Sequence, residues 1–78
     1  MKVKVCFFAS MRERMGASER MIEVRQAELN VDQLWSEYLS QESLPANTLI
    51  AVNMEYSNRN HRLKDGDEVA FFPPVTGG

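Results

Sequence analysis

The sequence predicts an α+β fold whose elements run strand, strand, helix, strand, short strand, strand. Three observations carry this. Residues 2–9 alternate with a period of two, which argues a strand. Residues 29–39 place apolar side chains at helical spacing behind a capping sequence. The last apolar run, residues 68–72, follows an Asp65-Gly66-Asp67 turn and is stopped by Pro73-Pro74.

Along residues 2–9, Val3, Val5, Phe7 and Ala9 point one way and Lys2, Lys4, Cys6 and Phe8 the other. The Val/Phe7 face is expected in the core. The opposite face begins with lysines and ends with Cys6 and Phe8, an apolar patch on a solvent face and so a candidate contact surface. Residues 10–15 read as a short helix, with Ser10 as cap, Glu13 completing a capping box and Gly16 as terminator. Residues 19–25 alternate again, Ile22 and Val24 inward, Glu23 and Arg25 outward.

Residues 29–39 form the main helix. Asn30 is its N-cap, Gln33 stands at the capping-box position, and Leu29 with Leu34 fits a hydrophobic staple. Val31, Leu34, Trp35, Tyr38 and Leu39 share one face, which reads as core. Asp32 lies in the first turn, where the helix dipole favours an anion. Residues 41–47 are a loop, with Pro45 barring helix continuation. Residues 49–53 are a strand, a turn begins at Asn53, and Tyr56-Ser57 forms a short edge strand. Residues 58–61 are polar and loop-like, and Leu63 returns to the core.

Beyond Phe72 the chemistry changes. The double proline makes a stiff exit, and Gly77-Gly78 carries no side chains. Val75, Thr76, Gly77 and Gly78 span about 13 Å if extended, at roughly 3.3 Å per residue. The expected division is a domain over residues 1–74 and a flexible tail over residues 75–78. A Gly-Gly end alone is also what an ordinary frayed terminus looks like. The reactive group such a tail can offer is the α-carboxylate of Gly78. A chain-terminal carboxyl group ordinarily titrates at about 3.3–3.7, so it is ionised at neutral pH and becomes electrophilic only once activated.

Residues 66–78, GDEVAFFPPVTGG, resemble the C-terminal signature of the small subunits of molybdopterin synthase, which are ubiquitin-like sulfur carriers. The likeness extends to VKVCFFA at residues 3–9, to Arg12-Glu13 and to Ala51-Val52-Asn53. Other sulfur carriers and ubiquitin share the Gly-Gly end but usually lack the Phe-Phe-Pro-Pro-Val run. The resemblance implies a β-grasp fold: a mixed sheet wrapped around one helix, with the first and last strands parallel at its centre. Phe8 and Phe72 then share the face away from the helix, joined by Cys6 and Ala70, with Tyr56 nearby. Phe8, Tyr56, Phe72, Pro73 and Pro74, with Arg12 at the rim, become the expected partner surface.

The resemblance also implies a chemistry. An E1-like adenylyltransferase uses ATP to adenylate Gly78, and a sulfur donor enzyme converts the adduct to a thiocarboxylate. The tail then delivers sulfur, inside the large synthase subunit, to a cyclic pterin phosphate. The assembly it implies is two small and two large subunits. The isolated chain is expected to be no enzyme and to bind no cofactor. Two alternatives remain open: a carrier for thiazole synthesis or RNA thiolation, and a ubiquitin-like modifier whose tail forms amides with lysines.

Composition agrees with one small domain. The chain has 78 residues, 9 basic and 11 acidic, and a net charge of −2, too little interior for a large buried pocket. No basic run points to nucleic acid. One cysteine permits no internal disulfide. No apolar stretch has the length of a signal peptide or a membrane span, so a cytoplasmic location is expected. Cys6 has no neighbouring base to activate it. His61 has no second ligand at metal spacing, so no metal site is expected. Asp65, Asp67 and Glu68 read as ordinary turn and surface acids.

Overall fold

Alternation at the N-terminus becomes β1 (Lys2–Phe7), with Val3, Val5 and Phe7 buried and Lys4 and Cys6 half-buried on the other face. The computed structural model describes residues 1–73. β1 ends at Phe7, so Ala9 is exposed rather than part of the inward row.

The short helix α1 (Ser10–Met15) starts differently from the expectation. Ala9 occupies the N-cap position at φ 52°, and no side chain caps the helix. Phe8 still donates its N–H to the Phe71 carbonyl, so the bend out of the sheet falls on Ala9. Ser10 is thereby the first helical residue, and Glu13 stands one position too late for a capping box. Gly16 does terminate α1, at φ 70°, donating its N–H to the Arg12 carbonyl.

β2 (Glu19–Glu23) returns antiparallel to β1, with Val3 opposite Ile22. α2 (Val31–Leu34) begins with the expected reciprocal cap. Asn30 Oδ1 accepts from the Gln33 N–H at 2.8 Å, and Gln33 Oε1 accepts from the Asn30 N–H at 2.9 Å. The helix then widens into a π-helical turn (Trp35–Leu39), which closes when Ser40 donates its N–H to the Trp35 carbonyl at 2.9 Å. Val31, Leu34, Trp35 and Leu39 are buried. Tyr38 is only half-buried, because its hydroxyl sits at the rim, hydrogen-bonded to Gln26 Oε1 and accepting from the Arg25 N–H.

β3 (Leu49–Val52), β4 (Glu55–Tyr56) and β5 (Glu68–Phe72) complete a five-stranded sheet of order β2-β1-β5-β3-β4. β4 starts one residue earlier than the sequence pattern suggests. β1 and β5 are parallel neighbours and the other pairs antiparallel, the β-grasp arrangement. The helix face of the sheet is sealed by Phe7, Phe71 and Trp35. The Phe7 and Phe71 rings lie 6.1 Å apart, and Trp35 meets Phe71 edge-on at 5.1 Å.

Two polar features lie outside the sequence expectation. Arg59, in the loop after β4, clamps the helix–β3 loop by donating to the Leu44 and Pro45 carbonyls and pairing with Asp32. Asp67 is not a surface acid but buried. Its carboxylate accepts from Asn53 Nδ2 at 2.9 Å and from the Lys64 N–H at 2.7 Å, tying the β3–β4 turn to the start of β5. A buried polar group survives only when its partners are satisfied. Asp67→Ala is therefore expected to cost about 1–3 kcal/mol in urea unfolding, because it orphans both donors. A loss under about 0.5 kcal/mol would mean that water replaces the carboxylate without penalty.

Candidate functional site: the apolar end of the open sheet face

The parallel register of β1 and β5 sets Cys6 beside Ala70 and Phe7 beside Phe71. Since Phe7 and Phe71 are both buried toward the helix, the next residue in each chain segment turns to the open face. Phe8 and Phe72 meet there with ring centroids 4.6 Å apart and planes 7° from parallel. Phe8 is 40% exposed, although it is a large aromatic side chain.

The rest of the site follows from the antiparallel pairs. Ala51 stands opposite both Ala70 and Tyr56. Two small side chains between larger ones leave a cleft of about 340 Å³. Phe8 and Phe72 line it together with Ala51 and Ala70, and Met54, Tyr56 and Glu68 complete it. Tyr56 is 81% exposed and Met54 92%. An exposed apolar cluster of this kind is a candidate interaction surface or ligand-binding groove.

Beyond the apolar cleft, the open face is charged. Lys4 lies 3.3 Å from Glu19 and 3.6 Å from Glu68. Its hydrogen bond and charge interaction with Glu19, with Glu68 adding, push its pKa up. Cys6, between this group and the cleft, is half-buried. Burial pushes its thiol pKa up, and the nearby Glu68 charge adds to the shift. The thiol is thus held protonated at neutral pH, the opposite of what a nucleophile needs. Among the described residues no group of three or more His, Cys, Asp or Glu is placed to hold a metal ion.

The residues singled out from sequence are distributed as follows. Phe8, Tyr56 and Phe72 come together at the cleft. Pro73 is half-buried and follows Phe72 directly, while Arg12 lies exposed on α1. Pro74, Val75, Thr76, Gly77 and Gly78 lie outside the described residues. Sequence reasoning missed Ala51, Met54 and Glu68 as lining residues of the cleft. The pairing of Ala51 with Tyr56 across the hairpin is the signal for Ala51, and the tip residue Met54 follows from the same pairing.

A family model described as the ThiS family matches residues 5–78. The chain is 39% identical to the molybdopterin synthase sulfur carrier subunit of Escherichia coli (strain K12), with 97% of this chain and 99% of that protein covered. Among solved structures, SAMP1 from Haloferax volcanii matches all of both chains with a TM-score of 0.77 at 23% identity, a likeness of fold. A chain from the complex of subunits 1 and 2 of molybdopterin-converting factor of Helicobacter pylori 26695 matches over its full length, with a TM-score of 0.59 at 27% identity. With its family match running from the first strand through Gly78, this chain belongs to the ThiS family.

Proposed function

We propose that this chain is the sulfur carrier subunit of a molybdopterin synthase, and that the Phe8–Phe72 cleft seats it on the large subunit. The observation that carries the reading is the position of the cleft. Phe72 is the last residue of β5, so the exposed apolar surface stands immediately before the segment Pro73 to Gly78. A partner that receives Gly78 covers Phe72 on the way. The named relative in Escherichia coli and the subunit 1–subunit 2 complex from Helicobacter pylori support the same assignment.

In this reading the chain supplies a carboxylate and a docking surface, and its partners supply catalysis. The Gly78 carboxylate attacks the α-phosphate of ATP on an E1-like adenylyltransferase and pyrophosphate leaves. A donor sulfur then displaces AMP, giving a thiocarboxylate. On the large subunit that sulfur is transferred to the cyclic pterin phosphate, on the way to the dithiolene that binds molybdenum. The groups that move protons and hold the pterin lie on the large subunit.

The test separates docking from folding. Phe72→Ala removes a ring that is half-buried in the free chain, stacked on the exposed Phe8, and that on this reading is covered in the complex, a typical hot spot. Its expected cost is roughly 2–4 kcal/mol of large-subunit affinity, measured by calorimetry. Phe71→Ala, one residue earlier but fully buried, should instead cost about 3–5 kcal/mol of stability. The opposite ordering would mean that the open face is not where the large subunit binds.

A further inference from the structure

The tip of the β3–β4 hairpin carries a residue that its own turn disfavours. Val52 pairs with Glu55, so Asn53 and Met54 form a two-residue loop. Both have positive φ, 51° and 68°. Two-residue hairpin loops of this kind normally take Asn or Asp followed by Gly, because a Cβ is poorly tolerated in the left-handed region. Asn53 fits the rule and Met54 breaks it.

The rest of the fold holds the tip in place. Asn53 Nδ2 donates to Asp67, its Oδ1 accepts from the Glu68 N–H at 3.0 Å, and its own N–H donates to the Glu68 carbonyl at 2.8 Å. Strain of this sort persists where neighbouring structure over-determines the backbone. Nothing among the described residues compensates for it through the side chain itself: Met54 is 92% exposed, yet it lines the same cleft as Phe8 and Phe72. A thioether chain with several rotatable bonds can mould itself to an apolar partner.

We infer that Met54 is a binding residue for the large subunit, held out by a strained hairpin tip that extends the Phe8–Phe72 docking surface across the cleft to β4. This rests on the docking reading above and commits to the same partner, because the cleft is continuous from Phe72 to Met54.

The inference gives opposite signs for stability and binding. Met54→Gly relieves the backbone, so the melting temperature should rise by about 4 °C or more. The same change should weaken large-subunit binding roughly tenfold, the scale of a single contributing contact. Met54→Ala keeps the Cβ and loses the contact, so it should weaken binding similarly with little change in melting temperature. Calorimetry of the wild type, both variants and Phe72→Ala against the purified large subunit reads the binding half, and thermal unfolding of the same preparations reads the stability half. If both Met54 variants bind within about twofold of the wild type while Phe72→Ala is weakened, the role of Met54 is overturned and the docking reading stands. If Phe72→Ala is unaffected as well, both fall.

Discussion

Gly77→Val is expected to lower sulfur transfer by at least about 100-fold while leaving the unfolding midpoint unchanged. The two halves of this result have separate causes. Among the described residues the buried core ends at Phe71, so a substitution at position 77 removes no packing seen there. Valine, however, adds a Cβ and two methyl groups immediately before Gly78, whose carboxyl group is the reacting one in the proposed carrier chemistry. A partner site that admits little more than backbone cannot accept them, and displacing reacting atoms by about 1 Å is enough for a loss of this size. Deleting Gly78 goes further, because it moves the carboxylate back by one residue. Single-turnover transfer and thermal unfolding, measured on the same preparations, check both halves. Transfer within a few-fold of the wild type would show that no narrow passage surrounds this segment.

Trp35→Ala is expected to cost about 3–5 kcal/mol, the range for deleting a buried aromatic ring. Trp35 is fully buried, packs edge-on against Phe71, and donates Nε1–H to the Glu42 carbonyl at 2.9 Å. The substitution therefore empties the centre of the helix–sheet interface and unties the loop after the helix. At about 4–8 °C per kcal/mol for a domain of this size, the melting temperature should fall by roughly 12–40 °C. If the domain's total stability lies at the low end of the usual range of about 5–15 kcal/mol, it is then close to unfolding. Chemical denaturation that reads less than about 1 kcal/mol would contradict the central place given to this ring.

Elements specified by local chemistry are legible in the sequence. The Asn30–Gln33 cap is a pattern four residues long, and it forms as written. The alternation of β1 and β5 decides which phenylalanine of each pair faces the helix, and hence where Phe8 and Phe72 meet. The parallel pairing itself is not visible in periodicity and comes from the family resemblance. What escapes is set by tertiary structure. Ala9 takes a positive φ because the last sheet hydrogen bond, at Phe8, fixes where the chain must bend. Asp67 looks like an ordinary turn acid, since only folding brings Asn53 to it from fourteen residues away. Arg59 stands in a polar stretch, and its three acceptors lie on two other segments. Met54 carries no local signal of a strained turn, because methionine is not a turn residue.

The most direct test of the central proposal is the intact mass of the full-length chain after incubation with the E1-like enzyme, ATP and a sulfur donor. The expected product has one oxygen replaced by sulfur at Gly78, forms only when ATP is present, and is absent from a chain lacking Gly78. A product joined through Gly78 to a lysine would contradict the carrier reading in favour of a modifier, and an unchanged mass with a demonstrably active enzyme would contradict both.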